Sequence, residues 1–299
     1  MTATATSQEI ASQPQTWEHA LGLAAEVAPL IGTEGERVLV LGCGTSAFMA
    51  LSMARAREAA GLGQTDWAYA SELPVGRSYD RLVALSRSGT TTEVTEALDL
   101  FEGRAQRTLI TAVHDSPAAL SAEDVLVLDF ADEDSVVQTR FPTTLLVLAR
   151  AAFGEDVSAL PERCRAALDR PLPIAVDEID HHVYLGRSGN LGLAHEAALK
   201  VREAAQAWSE SYPAMDYRHG PIAIAGPRSA VWIFGTGTSS LARDVRATGA
   251  TLVTSPEDPL VQLVMAQRVA LALAEHRGLD PDHPRHLERS VILSEGALA

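Results

Sequence analysis

The most regular signal in the chain is a series of short, unbroken apolar runs separated by stretches of helical periodicity. Val38–Gly42 (VLVLG), Arg81–Ser86 (RLVALS), Thr108–Val113 (TLITAV) and Asp124–Phe130 (DVLVLDF) are such runs. Strands buried on both faces show no polar alternation, so runs of this kind predict parallel strands. Between the first two, Ala47–Ala60 is rich in alanine and predicts a helix; another is predicted from about Glu93. Upstream, Ala20, Leu21, Leu23, Ala24 and Val27 recur at roughly helical spacing within a lead-in of residues 1–30. Strands alternating with helices predict a doubly wound parallel sheet.

The pattern then restarts. His182–Gly186 (HVYLG) is a second apolar run ending in glycine, and a helix is predicted over about Leu191–Trp208. Ala230–Gly235 (AVWIFG) follows, leading into TGTSS, and then Thr251–Ser255 (TLVTS). The two glycine-ended runs lie 144 residues apart, close to half the chain. A repeated pattern at that spacing predicts a duplicated α/β unit. The expected domains are residues 31–155 and 174–299, the second carrying a C-terminal tail that begins at GLDPDHP (Gly278–Pro284). Gly154–Pro173, with its prolines and one short helical stretch, reads as the linker between them.

Length and composition narrow the functions available. The 299 residues, 46% of them hydrophobic, can bury a large core. A net charge of −15 repels phosphodiester backbones, which argues against nucleic acid as a partner. It leaves room for a locally positive pocket that takes a small anion. Two cysteines, Cys43 and Cys164, form neither a disulfide framework nor a CxxC zinc pair, and a reducing cytoplasm is the expected location. The N-terminus lacks the basic start and apolar core of a secretory signal. The longest uncharged stretch, Val38–Ala54, is broken by Gly42, Gly44, Thr45 and Ser46 and does not read as a membrane span.

Four places carry candidate chemistry. CGTS (Cys43–Ser46) follows a buried strand and opens a helix, where backbone amides and hydroxyls can face an anion. An ordinary strand–helix turn capped by Ser or Thr is the competing reading. SRSGTT (Ser86–Thr91) places Ser86, Ser88, Thr90 and Thr91 around Gly89 at the end of another strand, a hydroxyl-rich cradle without P-loop spacing. On the helix HEAALKVREAAQAW, Ala194, Ala197, Ala198, Val201, Ala204, Ala205 and Trp208 form one apolar face. Glu196, Lys200 and Glu203 lie opposite, within about 60° of one another. Here the competing reading is a solvated face of i,i+3 and i,i+4 ion pairs. His219, in YRHGP, sits at a turn and is suited to acid–base work near neutral pH, although a lone turn histidine usually has no such role.

Taken in order, these motifs resemble the SIS (sugar isomerase) family. CGTS followed by SRSGTT resembles the SIS signature of phosphosugar isomerases. EAALKVRE followed by YRHGP resembles the second SIS half of glucosamine-6-phosphate synthases. EIASQP (Glu9–Pro14) and GLDPDHPRHLERSV (Gly278–Val291) resemble that family's lead and tail, so the likeness runs over nearly the whole chain. The resemblance implies an α/β fold of two SIS-like subdomains, each a parallel sheet flanked by helices. The glutaminase half has no expected counterpart, because no N-terminal catalytic cysteine begins the chain.

The resemblance further implies that Ser46, Ser86, Ser88 and Thr91 hold a phosphate, with Arg87 at the family's usual glutamine position. Glu203 matches the base that moves a proton between C1 and C2, with Lys200 beside it. His219 matches a ring-opening histidine that comes from the neighbouring subunit, implying a homodimer. Gln138, in VVQTR, falls at a ligand-contacting serine position. No metal or organic cofactor is called for. Arg289 aligns with the family's tail lysine, and an arginine is a poor imine former, which weighs against Schiff-base chemistry there. The implied activity is isomerisation or deamination of a phosphorylated amino sugar such as glucosamine 6-phosphate. A deglycase, a non-amino phosphosugar isomerase, or a non-catalytic sugar-phosphate sensor are the alternatives.

Overall fold

The computed structural model describes residues 4–74, 76–236 and 239–294. Two helices come first, α1 (Ala5–Ala11) and α2 (Gln13–Val27). The chain divides into two compact units. One comprises residues 12–133, 140–159 and the tail from Glu288; the other comprises the first eleven residues, 134–139 and 160–287.

The first unit is built on five strands. They are β1 (Val38–Gly42), β2 (Thr65–Tyr69), β3 (Arg81–Leu85), β4 (Gln106–Thr111) and β5 (Asp124–Val127). All pair in parallel, in the order β2-β1-β3-β4-β5. The central strands β1 and β3 are buried at every residue, as their unbroken apolar runs require. The helices are α3 (Thr45–Ala59), α4 (Thr92–Leu100), the short α5 (Pro117–Leu120) and α6 (Arg140–Ala152). Leu39, Leu41, Leu82 and Ala84 pack with Val94, Ala97 and Leu98 of α4 on one face of the sheet. Each fully buried leucine there contributes about 1.5–3 kcal/mol relative to exposure. α2 is joined to α6 by buried polar contacts as well, with Trp17 Nε1 donating to Thr143 Oγ1 at 3.1 Å.

The second unit repeats the plan with four strands. After α7 (Leu160–Leu168) come β6 (His181–Gly186), α8 (Asn190–Ala205), β7 (Trp208–Pro213) and β8 (Ser229–Ile233). Then follow α9 (Ser239–Ala247), β9 (Thr251–Thr254) and α10 (Pro259–His276). The parallel order is β7-β6-β8-β9, which matches β2-β1-β3-β4 of the first unit strand for strand. The duplication extends to the glycines that end β1 and β6. A Cβ on Gly42 would lie 2.6 Å from the Ser46 Cβ, and one on Gly186 would lie 2.1 Å from the Asn190 carbonyl oxygen. Only glycine lets each following helix pack so close to its strand.

Three details differ from the sequence expectation. Strands β2 and β7, both at sheet edges, were not foreseen. Helix α8 ends at Ala205, because Gln206 turns left-handed with φ 47°. Trp208 therefore leaves the helix's apolar face; it opens β7 and is 69% exposed. Gly237 and Thr238 of the TGTSS turn lie outside the described residues.

Segments distant in sequence complete the second unit. The first amides of α1, from Ala5 and Thr6, both donate to the Asp282 carboxylate at 2.8 Å, which supplies the partners a helix start lacks. Among the described residues, no helix is long and apolar enough to cross a membrane.

Candidate active site

The hydroxyl turns lie at the carboxyl ends of β1 and β3, where parallel sheets present ligand sites. Ser46 is buried on the first turn of α3. Ser86 and Ser88 are buried too, and their oxygens hold the loop together. Ser86 Oγ accepts the Gly89 amide at 3.1 Å, and Ser88 Oγ accepts the Thr90 amide at 3.2 Å. A hydroxyl oxygen that accepts from the backbone still has its own proton to donate, so both serines keep a donor for an anion. Thr91 occupies the N-cap position of α4 with extended backbone, φ −66° and ψ 121°, and its side chain makes no capping bond. Gly89 has φ +63°, and a Cβ there would fall 2.1 Å from Ser116 Oγ.

Arg87 is 2% exposed, and its guanidinium is committed beside the cradle. Nη1 lies 3.8 Å from the buried Glu133 carboxylate, and Nη2 donates to the Arg289 carbonyl at 3.2 Å. Arg289 itself pairs with Asp132 and donates to the Glu133 carbonyl. The tail thus lies against the loop: Thr92 N donates to the Val291 carbonyl at 3.3 Å, and the Thr90 hydroxyl is 2.9 Å from that of Ser290.

In the second unit, α8 carries the charged cluster of Glu196, Lys200 and Glu203. Lys200 Nζ is 3.2 Å from Glu196 Oε1 and 2.6 Å from Glu203 Oε2. The side chains of Glu196 and Lys200 are 0% and 2% exposed, whereas Glu203 is 19% exposed. The solvated-face alternative is therefore excluded, since the face opposite the alanine stripe is itself buried. Burial pulls the Lys200 ammonium down, but Glu196 and then Glu203 outweigh it, and its pKa stands above the ordinary lysine value. The lysine keeps its proton at neutral pH. Of the three side chains, that of Glu203 is the most exposed.

Gln138 belongs to a segment pinned from three sides. Glu9 accepts the Asp134 and Ser135 amides at 2.6 and 3.1 Å, Val136 N donates to the Asp282 carbonyl at 3.1 Å, and Gln267 donates to the Thr139 carbonyl at 3.3 Å. Gln138 Oε1 is buried without a hydrogen-bond partner. His219 ends a 3₁₀ turn before Gly220 and is exposed, next to the fully buried Tyr217, whose hydroxyl burial pushes up to about 12.

The candidate residues thus form two groups. Ser46, Ser86, Arg87, Ser88 and Thr91 belong to the first unit; Gln138, Lys200, Glu203 and His219 belong to the second. The sequence reading did not single out Glu133 or Glu93. Glu133 pairs with a residue 46 positions away, and its only signal is the acidic run Asp132–Asp134. Glu93 resembles any acid in a helix's first turn.

No family model matches the chain. Glutamine–fructose-6-phosphate aminotransferase [isomerizing] of Thermus thermophilus is 28% identical over 96% of this chain and 58% of its own length. The corresponding protein of Methanothermobacter thermautotrophicus is 28% identical over 93% of the chain and 54% of its own. The chain thus spans somewhat more than half the length of these relatives. The crystal structure of glucosamine-6-phosphate deaminase from Thermotoga maritima superposes with a TM-score of 0.83 at 28% identity, covering 97% of this chain and 100% of that one. Tagatose-6-phosphate ketose/aldose isomerase of Escherichia coli shares the fold, with a TM-score of 0.80 at 21% identity over 95% and 98%.

Two parallel α/β halves, with hydroxyl turns at the strand ends of the first, make a fold shared with glucosamine-6-phosphate deaminase. The chain is similar along nearly its whole length to somewhat more than half of these aminotransferases and to the whole of the deaminase.

Proposed function

We propose that the chain is a phosphosugar isomerase or deaminase acting on an amino-sugar phosphate such as glucosamine 6-phosphate. The observation that carries this reading is Lys200, buried between Glu196 and Glu203, with Glu203 the most exposed of the three. In this mechanism the hydroxyls of Ser46, Ser86, Ser88 and Thr91 hold the phosphate, and Gln138 contacts the sugar. His219 opens the ring; its exposure suits service to a neighbouring subunit in a homodimer. Glu203 removes the C2 proton of the open-chain aldehyde, and the electrons move onto the carbonyl oxygen to give an enolamine. The protonated Lys200 stabilises the developing negative charge. The proton returns at C1, leaving an imine at C2. Addition of water to that imine and loss of ammonia complete a deamination.

Glu203→Gln tests the reading. It is nearly isosteric but takes up no proton, and loss of a general base costs about 10²–10⁴-fold in turnover with binding largely kept. The measurements are turnover and solvent-deuterium incorporation at C1 or C2. Near-normal turnover and exchange would overturn the mechanism. A sugar-phosphate sensor is the second reading, favoured by Arg289, which is held to Asp132 and Glu133 and is unsuited to imine formation. Binding of the sugar phosphate with no turnover of any hexose or amino-hexose 6-phosphate would support it.

A further inference from the structure

The second unit holds a cavity of about 170 Å³ between β8, β9, α10 and the stretch that follows α7. None of the residues lining it belongs to the candidate site. Its walls are apolar, made by Pro171, Trp232, Val253, Val261 and Met265. Trp232 and Val253 are register partners on β8 and β9, so their side chains stand on one face of the sheet. Trp232 is 3% exposed, and Tyr184 and Phe234 hold it from within the unit, with ring centroids 5.8 and 6.5 Å away. Its Nε1 has no hydrogen-bond partner, so packing alone fixes the ring.

The cavity is framed by side chains that bind backbone. Arg268 of α10 donates to the Ala167 and Arg170 carbonyls, both at 2.8 Å, and fixes the end of α7. Gln262 donates to the Ser255 and Glu257 carbonyls at 3.3 and 2.7 Å and fixes the loop after β9. Walls set before binding cost a ligand little reorganisation.

The polar groups left for a ligand are donors. Glu257 is the one carboxylate among the lining residues, and both its oxygens are taken. Oε1 accepts Arg170 Nη1 at 2.9 Å, and Oε2 accepts Arg163 Nε at 2.8 Å. Two guanidinium charges thus share one carboxylate. Arg170 lines the cavity with a side chain 48% exposed, and its bond to Glu257 uses one of five N–H donors. Ser255 Oγ accepts the Glu257 amide at 3.1 Å and keeps its own proton to donate. Apolar cavities of about 150 Å³ admit benzene, so this one has room for a single six-membered ring. An indole wall favours an aromatic ring, through offset or edge-on packing.

We propose that this cavity binds a small aromatic carboxylate, with its ring against Trp232 and its carboxylate on Arg170 and Ser255. The inference is independent of the phosphosugar reading.

The test titrates benzoate and benzamide, alike in shape and different in charge, into the full chain. Calorimetry and tryptophan fluorescence read the binding. Benzoate should bind with a Kd on the order of 0.1–1 mM and quench Trp232. Benzamide should bind at least about 10-fold more weakly, because it lacks the charge-assisted bonds. Arg170→Gln should bring the two affinities within about threefold. Val253→Phe, which puts a ring into the slot, should abolish benzoate binding. Trp232→Phe should remove the fluorescence change. No benzoate binding at about 10 mM, or equal affinities for the two compounds in the unaltered protein, would overturn the proposal. So would a full preference for benzoate in Arg170→Gln, or a fluorescence change that persists in Trp232→Phe. Arg170 is half-exposed, and its replacement should leave the fold intact. Should either wall variant fail to fold, the affinity ratios of the unaltered protein and of Arg170→Gln still decide.

Discussion

Helices α3 and α8 follow the first strand of their respective halves, and each buries a cation. Arg57 on α3 is satisfied by neutral groups: it donates to the Leu62 carbonyl at 3.0 Å, the Glu36 carbonyl at 3.2 Å and Thr65 Oγ1 at 2.9 Å. Burial lowers its pKa against the pull of Glu36. Lys200 on α8 is satisfied by two carboxyl groups, and its pKa is raised. Carbonyl dipoles complete a structural contact and have no proton to exchange. Two carboxyl groups around one ammonium leave a place for one further proton. Within a duplicated scaffold, the two halves thus satisfy a buried cation in opposite ways, by neutral dipoles in one and by charge in the other.

The sharpest test of that contrast is to remove each cation. Lys200→Met leaves Glu196 buried without its counter-charge and should cost about 3–5 kcal/mol. That loss should shrink towards acid pH, where the carboxyl groups protonate. Arg57→Met leaves neutral carbonyls and the Thr65 hydroxyl, while Glu36 keeps Arg81 at 3.4 Å, so its loss should vary with pH much less. Denaturant unfolding of both variants between acid and neutral pH checks this, and parallel pH profiles would erase the distinction.

A second difference lies inside the first strands. His182 of β6 stands where β1 has Val38, four residues before the shared glycine. It is fully buried, and burial, then Arg277, lower its pKa to about 4. The folded value is below the unfolded one of about 6.5, so the unfolded chain takes up the proton first. His182 therefore costs stability as pH falls through that window, and the loss levels off below about 4 at a value on the order of 3 kcal/mol. His182→Val, the residue of the first half, should flatten that part of the pH–stability curve relative to the unaltered protein. Unfolding midpoints at pH 7, 5.5 and 4 measure the difference.

The smallest expected effect concerns the turns. Ser88 follows β3, and Thr236 follows the equivalent strand β8. Ser88→Ala should weaken 6-phosphosugar binding by about 10–100-fold through loss of one hydrogen bond to a charged group. Thr236→Ala should leave it unchanged. Equal effects by calorimetry would mean that the cradle is not confined to the first half.

The fold was legible where burial left a simple trace. VLVLG, RLVAL and HVYLG are buried on both faces and read as strands without help. TDWAY and WSESYP are edge strands whose half-exposed residues show no apolar run, so β2 and β7 stayed hidden. The end of α8 was misplaced because alanine periodicity continues to its last turn, and the left-handed stop falls on glutamine instead of glycine. The hydroxyl turns were visible as Ser and Thr clustered after strands. The burial of Glu196 and Lys200 was not, since three charged residues on one helix face look the same in sequence whether they meet water or protein. Pairings such as Arg87 with Glu133, which depend on tertiary placement, leave no local mark.

The carboxylate that caps α1 also bears on how the chain is made. Thr6 and Asp282 are 276 residues apart in sequence, yet the first turn of α1 depends on their contact. At a synthesis rate of about 5–20 residues per second, roughly 14–55 seconds pass between the emergence of the helix and that of its cap. Throughout that interval α1, a helix of seven residues, is too short to persist alone. The unit that carries Lys200 and Glu203 is therefore completed late, when Asp282 reaches Ala5 and Thr6, after the first sheet has already been synthesised.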